Sequence, residues 1–560
     1  MAAAVANGDG PLTTAHPGRR APVLRRHTGL PLLGAVPAVF LAVFFGWPVV
    51  ALVARAFGSA GGPRGHLGEL LDRDDAWSLL GATLGQAAAS TVVTVVVAAP
   101  IVWLVARVDV PGSRVLMIVV TVPFVLPTVV VGIAFRALLG VGGPLGFLHL
   151  DGTLLAILAA HAFLNVAVVV RVVAATWASL DPRAEQAART SGASPMRAFV
   201  TVVAPRLLPA LASSAALVFL FCSTSFGVVL VLGDGRVRTL ETEIYTQAIS
   251  YFDLPAAVAV SMLQILVVFA VVLLIRLLVP ARPTSRTARA AGRVRPHGRG
   301  WLPVIAAGLW AGAVLLGPPV VLVLRSLRPT VGGEWTLVGY RALDVAVNGQ
   351  TPLQSMRYSL VSACWAALLA LVVGLLTALV LTRSPRWVAG VGGVVTLLPL
   401  GVSAVTVGFG YLIVLAGVPS VVSRSPAIIP VVQALIAIPV VYRMLVPAIG
   451  LVPDELRAAA ATLGAGPLRV WCTVDLPLIR RALGVATGFA FVMALGEFGA
   501  TGFLTRPGTV TVPVLIGSAL GKPGAANLAT AMACSVLLGA VTFAVVAMVE
   551  MLRSVGEPDL

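Results

Sequence analysis

The fold predicted for this chain is an all-α polytopic membrane protein, with about twelve transmembrane helices arranged as two parallel six-helix repeats. Three observations predict it. The 560 residues are 58% hydrophobic and only 11% charged, with a mean hydropathy of +0.99, whereas soluble domains carry about 25% charged residues. The apolar residues fall into runs of about 20, the length that crosses a bilayer as a helix. A polar stretch between two such runs also occurs twice, and a shift of 272 residues lays Gly192 on Gly464, Pro195 on Pro467 and Pro205 on Pro477.

The apolar runs are centred near residues 43, 94, 126, 166, 219, 267, 313, 370, 401, 437, 492 and 539. Residues 1–30 are polar and rich in Gly, Pro and Arg, the composition of a disordered tail. The run from Leu30 to Ala56 is too long for a signal-peptide core and is read as a retained first span. Pro123 and Pro127 in the third run and Pro399 in the ninth are tolerable where neighbouring helices or water satisfy the freed carbonyls.

The net charge of +17 would suggest nucleic acid in a soluble protein. Here the arginines lie in short loops beside apolar runs, where the positive-inside rule accounts for them and no nucleic-acid partner is expected. Arg19, Arg20, Arg25, Arg26, Arg107, Arg114, Arg383, Arg386 and Arg553 fall on the same face as both repeated stretches. The opposite face carries acids such as Glu69, Asp72, Glu241 and Glu243. The arginine-rich face is therefore expected in the cytoplasm, with both termini.

Residues 280–300 hold Arg282, Arg286, Arg289, Arg293, Arg295 and Arg299 and no acid, and divide the chain into halves 31–279 and 301–560. Six spans per half make a parallel repeat rather than an inverted one. The linker reads as a solvated connector helped by anionic headgroups of the membrane lipids. Cys222, Cys364, Cys472 and Cys534 lie far apart with no C-x-x-C spacing, so no disulfide framework or metal site is indicated.

Each repeated stretch, expected as loops 181–206 and 453–478, runs from helix formers through Gly to Pro, an aromatic residue and a second Pro. Glycine ends a helix and proline suits the first turn of the next, so each copy predicts two short helices at an angle outside the membrane. Alanine faces would let another protein approach closely.

In these residues the chain resembles the cytoplasmic coupling loop, often called the EAA loop, of ABC-importer permeases. Glu185, Ala187, Ala188, Gly192, Ala193 and Pro205 match the pattern, as do Ala459, Gly464, Ala465 and Pro477. Arg457 departs from it by standing in the glutamate position. The segments from Ala160 to Asn165, Thr224 to Gly227 and Leu232 to Gly235, with Thr239 to Glu241 and Ile244-Tyr245, are similar to fused permeases of the thiamine and ferric-iron importer group.

The resemblance implies a type I ABC importer permease fold, two copies of a cytoplasmic ATPase subunit and an extracytoplasmic substrate-binding protein as partners. The implied substrate is thiamine or its phosphates, with ferric iron as the alternative. The phosphate cradle G-x-x-x-x-G-K-[ST] is absent, since Gly521-Lys522 is followed by Pro523. Hydrolysis is thus expected in a separate subunit, with no cofactor and no catalytic residue in this chain.

An ion-coupled secondary transporter is the competing class. It needs no repeated cytoplasmic loop and would carry acids in more of its spans. Charges inside spans are expensive and mark candidate path residues. Glu497 is the clearest, and Ser225 takes its place in the first half, with Thr224 beside it. A buried acid paired with an arginine, or one lying near the membrane interface, is the alternative for Glu497. His161 and Asn165 are one helical turn apart and would share a face, for hydrogen bonding between helices or for ligand. Arg171 and Arg443, near the cytoplasmic ends of spans four and ten, read as snorkelling residues or as supports of the coupling loops, and Arg136, near the outer end of span three, as another snorkelling residue. Of the two loop positions, Glu185 is expected to matter more to coupling than Arg457.

Overall fold

Among the described residues of the computed structural model, every regular element is helical. The structure describes residues 30–58, 74–109, 113–278, 295–330, 332–346, 349–522 and 524–554. The disordered tail expected for residues 1–30 and most of the basic linker at 280–300 lie outside the described residues.

Among the described residues, ten helices are long and apolar enough to cross a membrane. In chain order, spans 1, 2, 4, 5 and 6 are Leu33–Phe57, Ala76–Arg107, Leu154–Ser179, Pro195–Ser223 and Leu254–Ile275. Spans 7, 8, 10, 11 and 12 are Trp301–Leu327, Pro352–Arg383, Ile428–Gly450, Pro467–Leu495 and Ala525–Leu552. The third and ninth runs are bent pairs, Val115–Val125 with Thr128–Leu139 at 102° and Arg386–Gly401 with Ala404–Ala416 at 92°. Counting each pair as one span gives twelve.

The bends have local causes. Pro127 stands at the first break, where it has no N–H to continue a helix. At the second break Pro399 lies in the last turn of the first limb, and the Ser403 hydroxyl caps the second by accepting from the Val405 N–H at 3.1 Å.

The halves repeat each other in packing. Span 2 lies along span 4 in the first half, and span 8 along span 10 in the second. The first helix of each half crosses to the other. Span 1 packs on spans 8 and 9, where the Tyr411 hydroxyl donates to the Phe44 carbonyl at 2.7 Å, and Gly410 admits Pro48. Span 7 packs on spans 2 and 3, with the Trp310 indole N–H donating to the Val97 carbonyl at 3.0 Å. This exchange joins the halves around a shared interface rather than leaving two separable bundles.

Candidate functional site: the repeated loops and the axis between the halves

The two repeated stretches fold alike. Arg183–Thr190 and Asp454–Thr462 form the first short helices, and Pro195–Ala198 and Pro467–Val470 the second. Gly192 and Gly464 stand just past the first helices at φ +89° and +83°, a conformation that L side chains rarely adopt. The Gly192 N–H reaches the Arg189 carbonyl at 3.1 Å, and Ala193 reaches Ala188 at 3.0 Å. In the second copy the Gly464 N–H reaches the Ala461 carbonyl and the Ala465 N–H the Ala460 carbonyl, both at 3.0 Å. Each pair of bonds is the Schellman arrangement that stops a helix with a glycine.

Pro205 and Pro477 act on the next helix. Lacking an N–H, each leaves a carbonyl in the preceding turn without its usual partner, and the chain widens there into π turns at Phe199–Val203 and Trp471–Asp475. Ala187, Ala459 and both prolines are exposed, whereas Ala188, Ala193 and Ala465 are half-buried. Met196 and Leu468, equivalent under the 272-residue shift, are 70% and 80% exposed beside Arg197 and Arg469. An apolar side chain held out next to an arginine at the same point of both hairpins is a surface that lacks its cover.

The charge at the glutamate position is solved differently in each copy. Glu185 accepts from Arg107 at the end of span 2 at 3.0 Å. Arg457 donates to Asp475 at 2.8 Å and Asp454 at 2.7 Å, and to the carbonyls of Val452 and Ile449. Burial opposes the charged form of Arg457, but the bonds to Asp475 and Asp454 outweigh it and hold the guanidinium above its usual pKa. Asp475 is buried, also faces Arg383 at the end of span 8, and occupies the place of Val203. The acid missing at position 457 has moved to the following helix.

Within the membrane the polar residues form one symmetric contact and several that are not. His161 bonds Ser90 of span 2 through Nδ1 at 2.9 Å and Ser225 through Nε2 at 2.8 Å. In the second half Gln433 takes the place of His161 and accepts from Ser362, the equivalent of Ser90, at 2.7 Å. Asn165 donates to the His161 carbonyl at 2.9 Å, with Cys222 Sγ of span 5 at 3.6 Å. Thr224 turns back to the Leu220 carbonyl of its own helix.

Glu497 is buried, but no arginine pairs with it among the described residues. Its carboxylate accepts from the N–H groups of Ala500 and Thr501 at 2.7 and 2.9 Å. The arginine-paired alternative is thereby replaced by capping of the short helix Thr501–Leu504. Arg171 does not snorkel. It donates to Thr121 of span 3 at 2.6 Å and to Glu550 of span 12 at 2.8 Å, tying the halves together, while its equivalent Arg443 is exposed. Arg136 lies 3.9 Å from Asp151 and 3.8 Å from Asp234.

Sequence reasoning passed over Ser90, Ser362, Gln433 and Asp475. Carrying the shift through spans 2, 4, 8 and 10 would have aligned the first three. Glu241 was placed on the outer face as a loop acid, yet it is fully buried and joins Gln264 to Ser403 of the other half.

At the end opposite the repeated loops a cavity of about 290 Å³ opens, lined by Arg424, Pro426, Ile429, Leu504 and Arg506. Neither arginine has an acid partner among the described residues. In the first half Asp234 holds the place of Arg506.

Paired spans, two matching hairpins and an interface between swapped halves define a polytopic helical membrane protein built from two fused, repeated halves. Residues 90–282 match the family described as binding-protein-dependent transport system inner membrane component. The chain is 27% identical to the thiamine transport system permease protein ThiP of Brucella abortus over 528 residues, covering 91% of this chain and 93% of that one. It is 35% identical over 167 residues to the sulfate transport system permease protein CysT of Salmonella typhimurium, covering 28% of this chain and 60% of that one. A putative 2-aminoethylphosphonate transport system permease protein, PhnU of Salmonella typhi, is 28% identical over 248 residues, 41% of this chain and 84% of that one. The chain is thus similar to binding-protein-dependent transport permeases, over residues 90–282 to the family as a whole and through both halves to a thiamine permease.

Proposed function

We propose that this chain forms the translocation path of an ATP-driven importer for thiamine or its phosphates. In this reading the halves 31–279 and 301–560 are joined by the cytoplasmic linker 280–300. Hairpins 181–206 and 453–478 face the cytoplasm with both termini and seat two ATPase subunits, and the opposite face receives a substrate-binding protein. The observation that carries the docking is the exposed pair Met196 and Leu468 on matching Gly-terminated hairpins. Thiamine is favoured because the similarity to the thiamine permease runs through both halves, while the sulfate and phosphonate permeases match smaller shares of the chain.

The hairpins act as levers. Closure of the ATPase pair would move both together and rock the halves about their common interface. The chain contributes position and path, and hydrolysis belongs to the docked subunits.

Purification of the chain with its ATPase and binding protein, followed by uptake into proteoliposomes, tests this reading. ATP-dependent accumulation of thiamine is the expected result, and accumulation by the permease alone would sink it. Gly192→Ala and Gly464→Ala should each destabilise a hairpin by about 1 kcal/mol through the forced positive φ and lower uptake; full uptake by both variants would remove the hairpins from coupling. Arg424→Glu with Arg506→Glu should weaken stimulation of ATP hydrolysis by the binding protein without changing the basal rate. Unaltered stimulation would place that docking elsewhere.

A further inference from the structure

Phe226 and Phe498 hold the same place in the two halves, and their rings stack on each other with centroids 5.1 Å apart and planes 23° apart. Groups related by a two-fold axis touch each other only at that axis. The pair therefore marks the line along which the halves meet, and each residue is 5% exposed. Anything passing between the halves meets these two rings.

Their surroundings are aromatic and asymmetric. Tyr245 lies 5.2 Å from Phe226 and edge-on to Phe503 at 5.5 Å. In the second half Gly517 stands where Tyr245 does, and a Cβ on it would come within 3.0 Å of Phe498 Cζ. The rings are also tied to the bent spans. Gly227, next to Phe226, is pressed against Thr128, and a Cβ on Gly499, next to Phe498, would lie 3.1 Å from the Ala404 Cβ. Thr128 and Ala404 begin the second limbs of the two bent pairs, so a change of angle at either elbow would be felt at the rings.

We propose that Phe226 and Phe498 form an aromatic gate that seals the path at rest and, as the halves part, offers two ring faces to a planar aromatic cation. Ring faces carry the negative lobe of the aromatic quadrupole and stack with flat π systems, so they favour a heteroaromatic cation and give nothing to a hydrated anion. The inference rests on the importer reading above and supplies its substrate class from the path itself.

The test uses the complex with its ATPase and binding protein in proteoliposomes, with thiamine and the non-aromatic cation tetraethylammonium as probes. F226A/F498A should raise ATP-independent leak of both cations about tenfold, because removing two rings opens the seal. F226L/F498L should stay sealed yet lose about tenfold in ATP-driven thiamine uptake, the loss of two stacking faces. A monodisperse F226A/F498A complex that does not leak overturns the seal, and F226L/F498L uptake equal to wild type overturns the stacking role. If F226A/F498A fails to assemble, the leucine pair decides alone by the same uptake criterion. Leak through F226A/F498A in a complex that never accumulates thiamine would leave the gate standing and remove thiamine as substrate.

Discussion

Arg457→Ala is expected to release the second hairpin and to remove most ATP-driven uptake, a larger loss than Glu185→Ala produces. Arg457 makes four hydrogen bonds, two of them to carboxylates, and one of those belongs to Asp475, which is 2% exposed. Removing the guanidinium leaves that buried acid with Arg383 alone, at 3.5 Å. Truncating one partner of a buried pair is severe because the other charge stays behind, and with 22% of the Arg457 side chain exposed the cost should be about 2 kcal/mol. Glu185 has a single partner, Arg107, and both side chains are 22% exposed, so its loss should cost about 1 kcal/mol or less.

This reverses the ranking drawn from the family pattern, in which the orthodox glutamate carried the greater weight. The denaturation midpoint of the purified permease and uptake by the assembled complex are the readouts. A second variant makes the cause specific: R457E/D475V, which rebuilds the acid at the first copy's position and the valine at its partner, should recover part of what R457E alone loses. No recovery, or equal losses from Arg457→Ala and Glu185→Ala, would count against the relocated acid.

Much of this architecture was legible in the chain because it depends on local chemistry. Gly192 and Gly464 announce helix ends through their position after alanine runs, and Pro205 and Pro477 sit where a helix must widen or start. The span count follows from hydropathy, which reads length. Hydropathy does not read direction, and although Pro127 and Pro399 mark breaks in the third and ninth runs, nothing in the sequence gives bends of 102° and 92°. Nor did it show that spans 1 and 7 change sides, since both helices are apolar around much of their surface and fit either half. The least visible features are pairs distant in sequence: Arg171 and Glu550 are 379 residues apart. Arg171 alone looks like a residue reaching for headgroups, and only its partner's position shows that it joins the halves.

Glu241→Ala should be the most damaging single change inside the membrane region, and Glu241→Gln nearly silent. The carboxylate is fully buried and accepts from Gln264 Nε2 at 2.7 Å and from the Ser403 hydroxyl. Ser403 belongs to the other half and caps the second limb of the ninth span through the Val405 N–H. One acid of the first half thus orients the hydroxyl that holds an elbow of the second. Alanine strands both partners and opens a void, at a cost of about 3 kcal/mol for two hydrogen bonds lost in a buried site. Glutamine keeps the shape and one acceptor for Ser403. Its new N–H groups can meet Gln264 Oε1, which has no partner among the described residues when Glu241 is present, once that amide turns over.

A double-mutant cycle with Ser403→Ala isolates the bond between the halves. The two alanine changes should be non-additive by about 1 to 3 kcal/mol, as for residues in one network, read from shifts in denaturation midpoint. Strict additivity, or a Glu241→Gln variant as unstable as Glu241→Ala, would mean that this carboxylate fills space without holding the elbow.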